Sequence, residues 1–113
     1  MMSSRIYLPL TLERLATIVE AGVAGEELER FVAVDDSEES EYLALMSAAD
    51  ASTALGASRR VVLVAEVDHE DAAAPRRTWT AVHVDSNDEH DADDEPGWFG
   101  IQELHQILAD ASG

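Results

Sequence analysis

The chain predicts an α+β fold: a two-layer sandwich of about four strands in a mixed sheet, with helices mainly on one face. Three observations predict it. Apolar residues alternate in some segments and recur at helical spacing in others, giving the order β-α-β-α-β-β-α. Two strong strand segments, 59–67 and 78–84, are joined by only ten residues, Asp68–Arg77. That connection is too short for a helical crossover, so these two strands are expected to pair antiparallel. Finally, 113 residues with a 46% hydrophobic fraction suit one domain, 1–113, with a real core.

Arg5-Ile6-Tyr7-Leu8-Pro9-Leu10 reads as a first strand, with Ile6 and Leu8 on one face and Tyr7 on the other. Pro9 donates no ladder hydrogen bond and marks the strand end or an edge. Thr11 then suits a helix N-cap, and Leu12, Leu15, Ala16 and Val19 form one helical stripe. Gly22 closes that helix.

Phe31-Val32-Ala33-Val34 reads as a second short strand, and Asp36, with Glu39 three residues on, as the next cap. The second helix is expected from Ser37 to Leu55, with Tyr42, Leu45, Met46, Ala49 and Thr53 as its buried stripe. Asp35, Asp36, Glu38, Glu39 and Glu41 gather where the helix dipole favours carboxylates.

Val61-Val62-Leu63-Val64-Ala65 is apolar on both faces and is expected at the sheet centre. In the next strand, alternation puts Thr80, Val82 and Val84 on one face and Trp79, Ala81 and His83 on the other. Antiparallel pairing brings Arg59 and Arg60 near the start of the acidic run, and Arg76 and Arg77 near Asp68, Glu70 and Asp71. Residues 85–97 hold seven carboxylates in thirteen positions and read as a mobile acidic loop. Trp98–Ala111 reads as a C-terminal helix, with Ile101, Leu104, His105 and Leu108 on one face.

Charge narrows the function. Twenty-four acidic against seven basic side chains give a net −17. Direct binding to nucleic acid or to an anionic membrane needs the opposite sign. A basic partner, a cation or simple solubility is what the charge allows. The seven cations are all arginine and eighteen residues are alanine, a usage typical of GC-rich coding or of adaptation to high salt. No cysteine is present, which removes disulfides, thiolate nucleophiles and cysteine zinc sites. The apolar run at residues 6–10 is short and broken by Pro9, unlike a signal peptide, so a cytoplasmic location is expected.

Chemistry-bearing motifs are scarce. EF-hand frames started at Asp85 or Asp91 put His90 or Pro96 where glycine is required. His69, His83, His90 and His105 lack zinc-ligand spacing, and no nucleophile elbow, phosphate loop or dinucleotide fingerprint occurs. No metal or cofactor is therefore expected. The adjacent aromatics Trp98 and Phe99 cannot both enter one core, and an exposed aromatic is a typical interface anchor. Tyr42, His83, Trp98, Phe99, Gln102 and Glu103 are the candidate binding residues.

Several stretches together resemble a known pattern: Arg5-Ile6-Tyr7-Leu8-Pro9 with Thr11-Leu12, and Glu41-Tyr42-Leu43-Ala44-Leu45 leading to Ala51-Ser52. Arg60-Val61-Val62-Leu63-Val64-Ala65, Ala81-Val82-His83-Val84-Asp85, and Trp98-Phe99 with Gln102-Glu103-Leu104 continue it. In this order they resemble an uncharacterised family of small actinobacterial proteins, over most of the chain. The resemblance implies a bacterial cytoplasmic protein and favours the GC-rich reading of composition. It brings no activity, cofactor or partner.

The leading expectation is a small acidic, non-enzymatic interaction domain that docks on a basic protein. One rival is a small enzyme with its site on a sheet face bearing Tyr7, Trp79 and His83, near Trp98–Glu103. Another is an acidic antitoxin-like or nucleic-acid-mimicking protein.

Overall fold

The computed structural model describes residues 3–112. Strand β1 (Ser4–Leu10) is two-sided, as its alternation requires: Ile6, Leu8 and Leu10 enter one core and Tyr7 another. The Thr11 hydroxyl accepts the Arg14 amide at 3.1 Å and caps α1 (Leu12–Ala21). Leu15 and Ile18 are buried there and Leu12 and Val19 pack partly buried on the same core, so of the expected stripe only Ala16 is exposed. Gly22 ends the helix at φ 78°, a left-handed conformation that side-chain-bearing residues resist.

Strand β2 (Val23–Ala24) pairs with Ala74–Pro75 in a separate two-stranded sheet that alternation did not reveal. Strand β3 is only Phe31–Val32, antiparallel to β1 with Tyr7 opposite Phe31. Arg30, just before it, donates to the carbonyls of Gly25, Leu28, Glu70 and Ala72, tying two surface loops together.

Helix α2 (Glu38–Ala54) is capped by Ser37 rather than Asp36. The Ser37 hydroxyl accepts the Ser40 amide at 3.2 Å, and Asp35 in turn accepts the Ser37 amide at 2.9 Å. Its buried side is Ser40, Ala44, Leu45, Ala48, Ala49 and Ser52, not the stripe through Tyr42, Met46 and Thr53. Both sides are moderately apolar, and the one with small residues permits closer approach to the sheet. Tyr42 and Leu43 are left exposed.

Central strand β4 (Val61–Val67) pairs antiparallel with β1 over its full length. After it come β5 (Ala74–Pro75), a 3-10 turn at Arg76–Thr78, and β6 (Trp79–Val84), antiparallel to β4 as expected. Val64 pairs with Ala81 but Ala65 with Trp79, so Thr80 is an extra residue in β6. This bulge reverses the alternation. Trp79 therefore joins Val82 and Val84 on one face, while Ala81 stays on the other.

The chain then forms β7 (Gly97–Gly100), a 3-10 turn at Ile101–Glu103, and α3 (Leu104–Ser112). The expected helix at Trp98 is thus a strand for its first turn. Trp and Phe favour strands, and the helix begins only after Gly100, whose amide donates to the Glu103 carboxylate at 2.9 Å. In α3, Leu104 and Ile107 are buried and His105 is exposed, contrary to its expected place on the apolar face.

The fold is α+β, with a main sheet ordered β3-β1-β4-β6-β7. It has five strands rather than four, and its pairs are all antiparallel rather than mixed. Two of the three helices share a face. Leu15 and Ile18 of α1 and Leu104 and Ile107 of α3 pack with Ile6, Leu8, Leu63 and Val82. Helix α2 covers the other face through Ala44, Leu45, Ala48 and Ala49, against Tyr7, Val62, Val64 and Ala81. The expected two layers are three. Burying each large aliphatic side chain is worth about 1.5–3 kcal/mol, so both cores contribute substantially.

The arginine pairs behave differently from one another. Arg60 forms a buried ion pair with Asp85 at the start of the acidic run, as antiparallel pairing implied. Arg76 instead lies 5.6 Å over the Trp79 ring. Among the described residues neither Arg76 nor Arg77 makes a salt bridge to Asp68, Glu70 or Asp71.

Candidate functional site

Helix α2 covers only part of its sheet face. Between its first turns and the β6–β7 edge lies an open cleft of about 570 Å³. Its floor is sheet: Tyr7 from β1, Val64 from β4, and Ala81 and His83 from β6. Its walls are Glu38, Glu41, Tyr42 and Leu45 from α2 on one side, Glu95 and Trp98 on the other. Glu38, Glu41, Tyr42 and Leu45 share one helical face because three- and four-residue spacings stack.

The sheet register explains the rest. Trp98 lies directly opposite His83, so both side chains point to the α2 face. Trp98 is 64% exposed and Tyr42 42%, so two aromatic surfaces stand open to solvent at the mouth. Tyr7 is buried. Burial raises its phenol pKa and outweighs the opposing hydrogen bond from Arg5, so the hydroxyl stays protonated at neutral pH.

The charges divide into paired and unpaired. Arg5 contacts Glu41 at 3.1 Å and Glu66 at 3.5 Å, which offsets the Glu41 charge on the α2 wall. Glu38 and Glu95 make no salt bridge among the described residues. Burial pushes the His83 pKa below the ordinary histidine value, against the opposing influence of the Pro96 carbonyl and the Glu95 carboxylate. His83 is therefore a neutral imidazole at pH 7, and its buried Nδ1 has no hydrogen-bond partner among the described residues. The cleft is aromatic and anionic, with its cation already spent.

Of the six candidate residues, Tyr42, His83 and Trp98 meet in this cleft. Phe99, next to Trp98 on the strand, points to the opposite face and packs on the α1–α3 core. Gln102 and Glu103 lie exposed on the 3-10 turn, where Glu103 caps Gly100. Trp79, expected beside His83, is carried to the far face by the bulge, and its indole donates to the Ala74 carbonyl at 2.9 Å. Arg5, Glu38 and Glu95 were not singled out from sequence. Among many similar carboxylates only their tertiary position distinguishes them.

Among the described residues no group of three or more His, Asp or Glu side chains could hold a metal ion. No described helix is long and apolar enough to cross a membrane. Comparison with curated proteins and with solved structures finds no match. Residues 4–95 do match a family model, that of DUF6912, a family of unknown function. The match takes in β1 through β6 and the wall residues Glu38, Glu41, Tyr42 and Glu95, and stops short of Trp98. Since it covers most of the chain, the protein belongs to the DUF6912 family.

Proposed function

We propose that this protein is a non-enzymatic binding domain that receives a cationic side chain of a basic protein partner in the α2–β7 cleft. The observation that carries this reading is the meeting of open aromatic faces, Tyr42 and Trp98, with the unpaired carboxylates Glu38 and Glu95. A guanidinium or ammonium over such a ring gains about 0.5–1 kcal/mol when exposed and about 2 when desolvated. The two carboxylates add Coulomb attraction, and the overall −17 steers a basic surface toward the domain.

The enzymatic alternative has less support. Burial keeps His83 neutral, but no described side chain hydrogen-bonds it, and the Pro96 carbonyl is its one hydrogen-bonding influence among the described residues.

The test is titration with a short arginine peptide and with a glutamate peptide of equal length, following the two indole N–H resonances. The arginine peptide is expected to shift the Trp98 indole saturably, less so at raised salt, and not to shift Trp79. An unmoved Trp98 resonance at millimolar arginine peptide overturns the reading.

A further inference from the structure

We propose that the partner segment docks in extended form, as an added strand along the free edge of β7, with its basic residue paired to Trp98. This rests on the cleft reading and deepens it, because it fixes how the segment's backbone lies and which neighbours the basic residue has.

The argument starts from the hydrogen-bonding groups of β7, which ends the main sheet. The Gly100 amide donates to the Glu103 carboxylate, so it points away from β6. Along a strand of an antiparallel ladder, successive residues direct their N–H and C=O to opposite sides. Trp98, two residues earlier, therefore directs its own N–H and C=O outward.

The other side of β6 agrees. The Asp85 amide donates to the Arg60 carbonyl at 3.1 Å, on the β4 side. By alternation His83 and Ala81 also bond toward β4, which leaves Val84 and Val82 to bond Gly97 and Phe99. Both routes give Trp98 as the β7 residue with a donor and an acceptor facing the open edge.

Protein edges are usually blunted by charge, proline or a bulge. Gly97–Gly100 contains neither a charge nor a proline, and Glu103 closes the edge only at Gly100. A segment adding here pairs one residue with Trp98. That residue's side chain falls on the Trp98 face, over the cleft with Glu38 and Glu95. Its two neighbours fall on the Phe99 face, beside the partly buried Phe99 and Ile101. The surface thus asks for an apolar–basic–apolar triplet in an extended backbone. Main-chain bonds supply affinity and the alternating side chains supply selectivity.

The experiment uses three blocked peptides of sequence Thr-Val-Arg-Val-Thr against the full chain. One is unmodified. One is N-methylated at the arginine, whose amide would face Trp98. The third is N-methylated at the following valine, whose amide would face solvent. Binding is followed by Trp98 indole shift and by exchange of the Trp98 backbone amide.

The unmodified and valine-methylated peptides are expected to bind alike and to slow Trp98 amide exchange. Methylation at the arginine is expected to weaken binding by about tenfold, the loss of a good hydrogen bond. Equal binding of all three, with Trp98 amide exchange unchanged, overturns strand addition and leaves the cleft reading standing. Binding by none of them, with the indole unmoved, overturns both.

Discussion

Arg60 and Asp85 lie side-on to each other inside the protein, Nε donating to one carboxylate oxygen at 2.8 Å and Nη2 to the other at 2.9 Å. The Arg60 backbone amide adds a third donor to the same carboxylate at 2.8 Å. Four of the five guanidinium N–H groups are engaged, since Nη2 also reaches the Asp94 carbonyl at 2.7 Å and Nη1 the Ala92 carbonyl at 3.3 Å. The residue just before β4 thus grips the acidic run at both its start and its return. With side chains only 1% and 6% exposed, neither charge has water to fall back on. Asp85→Ala is expected to cost about 3–5 kcal/mol in urea unfolding, because it strands a buried guanidinium. Faster amide exchange across residues 91–94 should accompany it. A loss below about 1 kcal/mol would mean that the pair is solvated.

Stability should fall in two stages as pH is lowered. His83 has a depressed pKa in the folded state, so the unfolded chain takes up the proton first, near its pKa of about 6.5. Its contribution is complete above that value and lost as pH falls through the folded pKa. Burial raises the Asp85 carboxyl, but the hydrogen bonds and charge of Arg60 outweigh it and hold the folded pKa low. Its contribution is complete above an unfolded pKa of about 3.9 and lost as pH falls through the folded one. Urea midpoints measured against pH check both stages. His83→Gln should flatten the first and leave the second.

Ser52 is a buried bridge between α2 and two strands. Its hydroxyl donates to the Leu10 carbonyl at 2.6 Å and accepts the Val61 amide at 3.0 Å. Ser52→Ala removes two buried hydrogen bonds at the Leu10–Val61 pair, at about 0.5–1.5 kcal/mol each. Denaturant unfolding should show that loss. The neighbouring Thr53→Ala, at an exposed position, should change stability by no more than about 0.5 kcal/mol.

The two tryptophans should separate function from folding. Trp98→Ala removes a largely exposed ring and is expected to move stability by about 0.5 kcal/mol at most, while weakening arginine-peptide binding measured by calorimetry. Trp79→Ala empties a core site and should cost about 3–5 kcal/mol. Acrylamide quenching distinguishes the rings directly, since Trp98 is accessible and Trp79 is only 5% exposed.

Local chemistry made some elements readable and tertiary geometry hid others. Thr11 and Gly22 bracket α1 as their capping preferences dictate. The doubly apolar run from Val61 is central because only a strand covered on both faces tolerates it. Gly97–Gly100 is ambiguous in sequence because aromatics before a helical stripe suit either a helix mouth or a strand, and the Gly100–Glu103 cap that decides is a contact at three-residue range. Tyr42 left the core because α2 offers two comparable apolar sides, and the sheet chose the smaller. In the cleft, Tyr42, His83 and Trp98 were legible as unusual residue types. Glu38 and Glu95 were not, being two carboxylates among twenty-four acidic residues.

The extra residue at Thr80 sets a parity for everything before it in β6. Counted from the Ala81 end, each position N-terminal to the bulge changes sides. Deleting Thr80 would restore strict alternation and keep Trp79 opposite Ala65, so the indole would stay in the α1–α3 core. When DUF6912 chains are aligned, a one-residue gap at this point therefore marks a lost bulge, with both faces of the sheet keeping their residues.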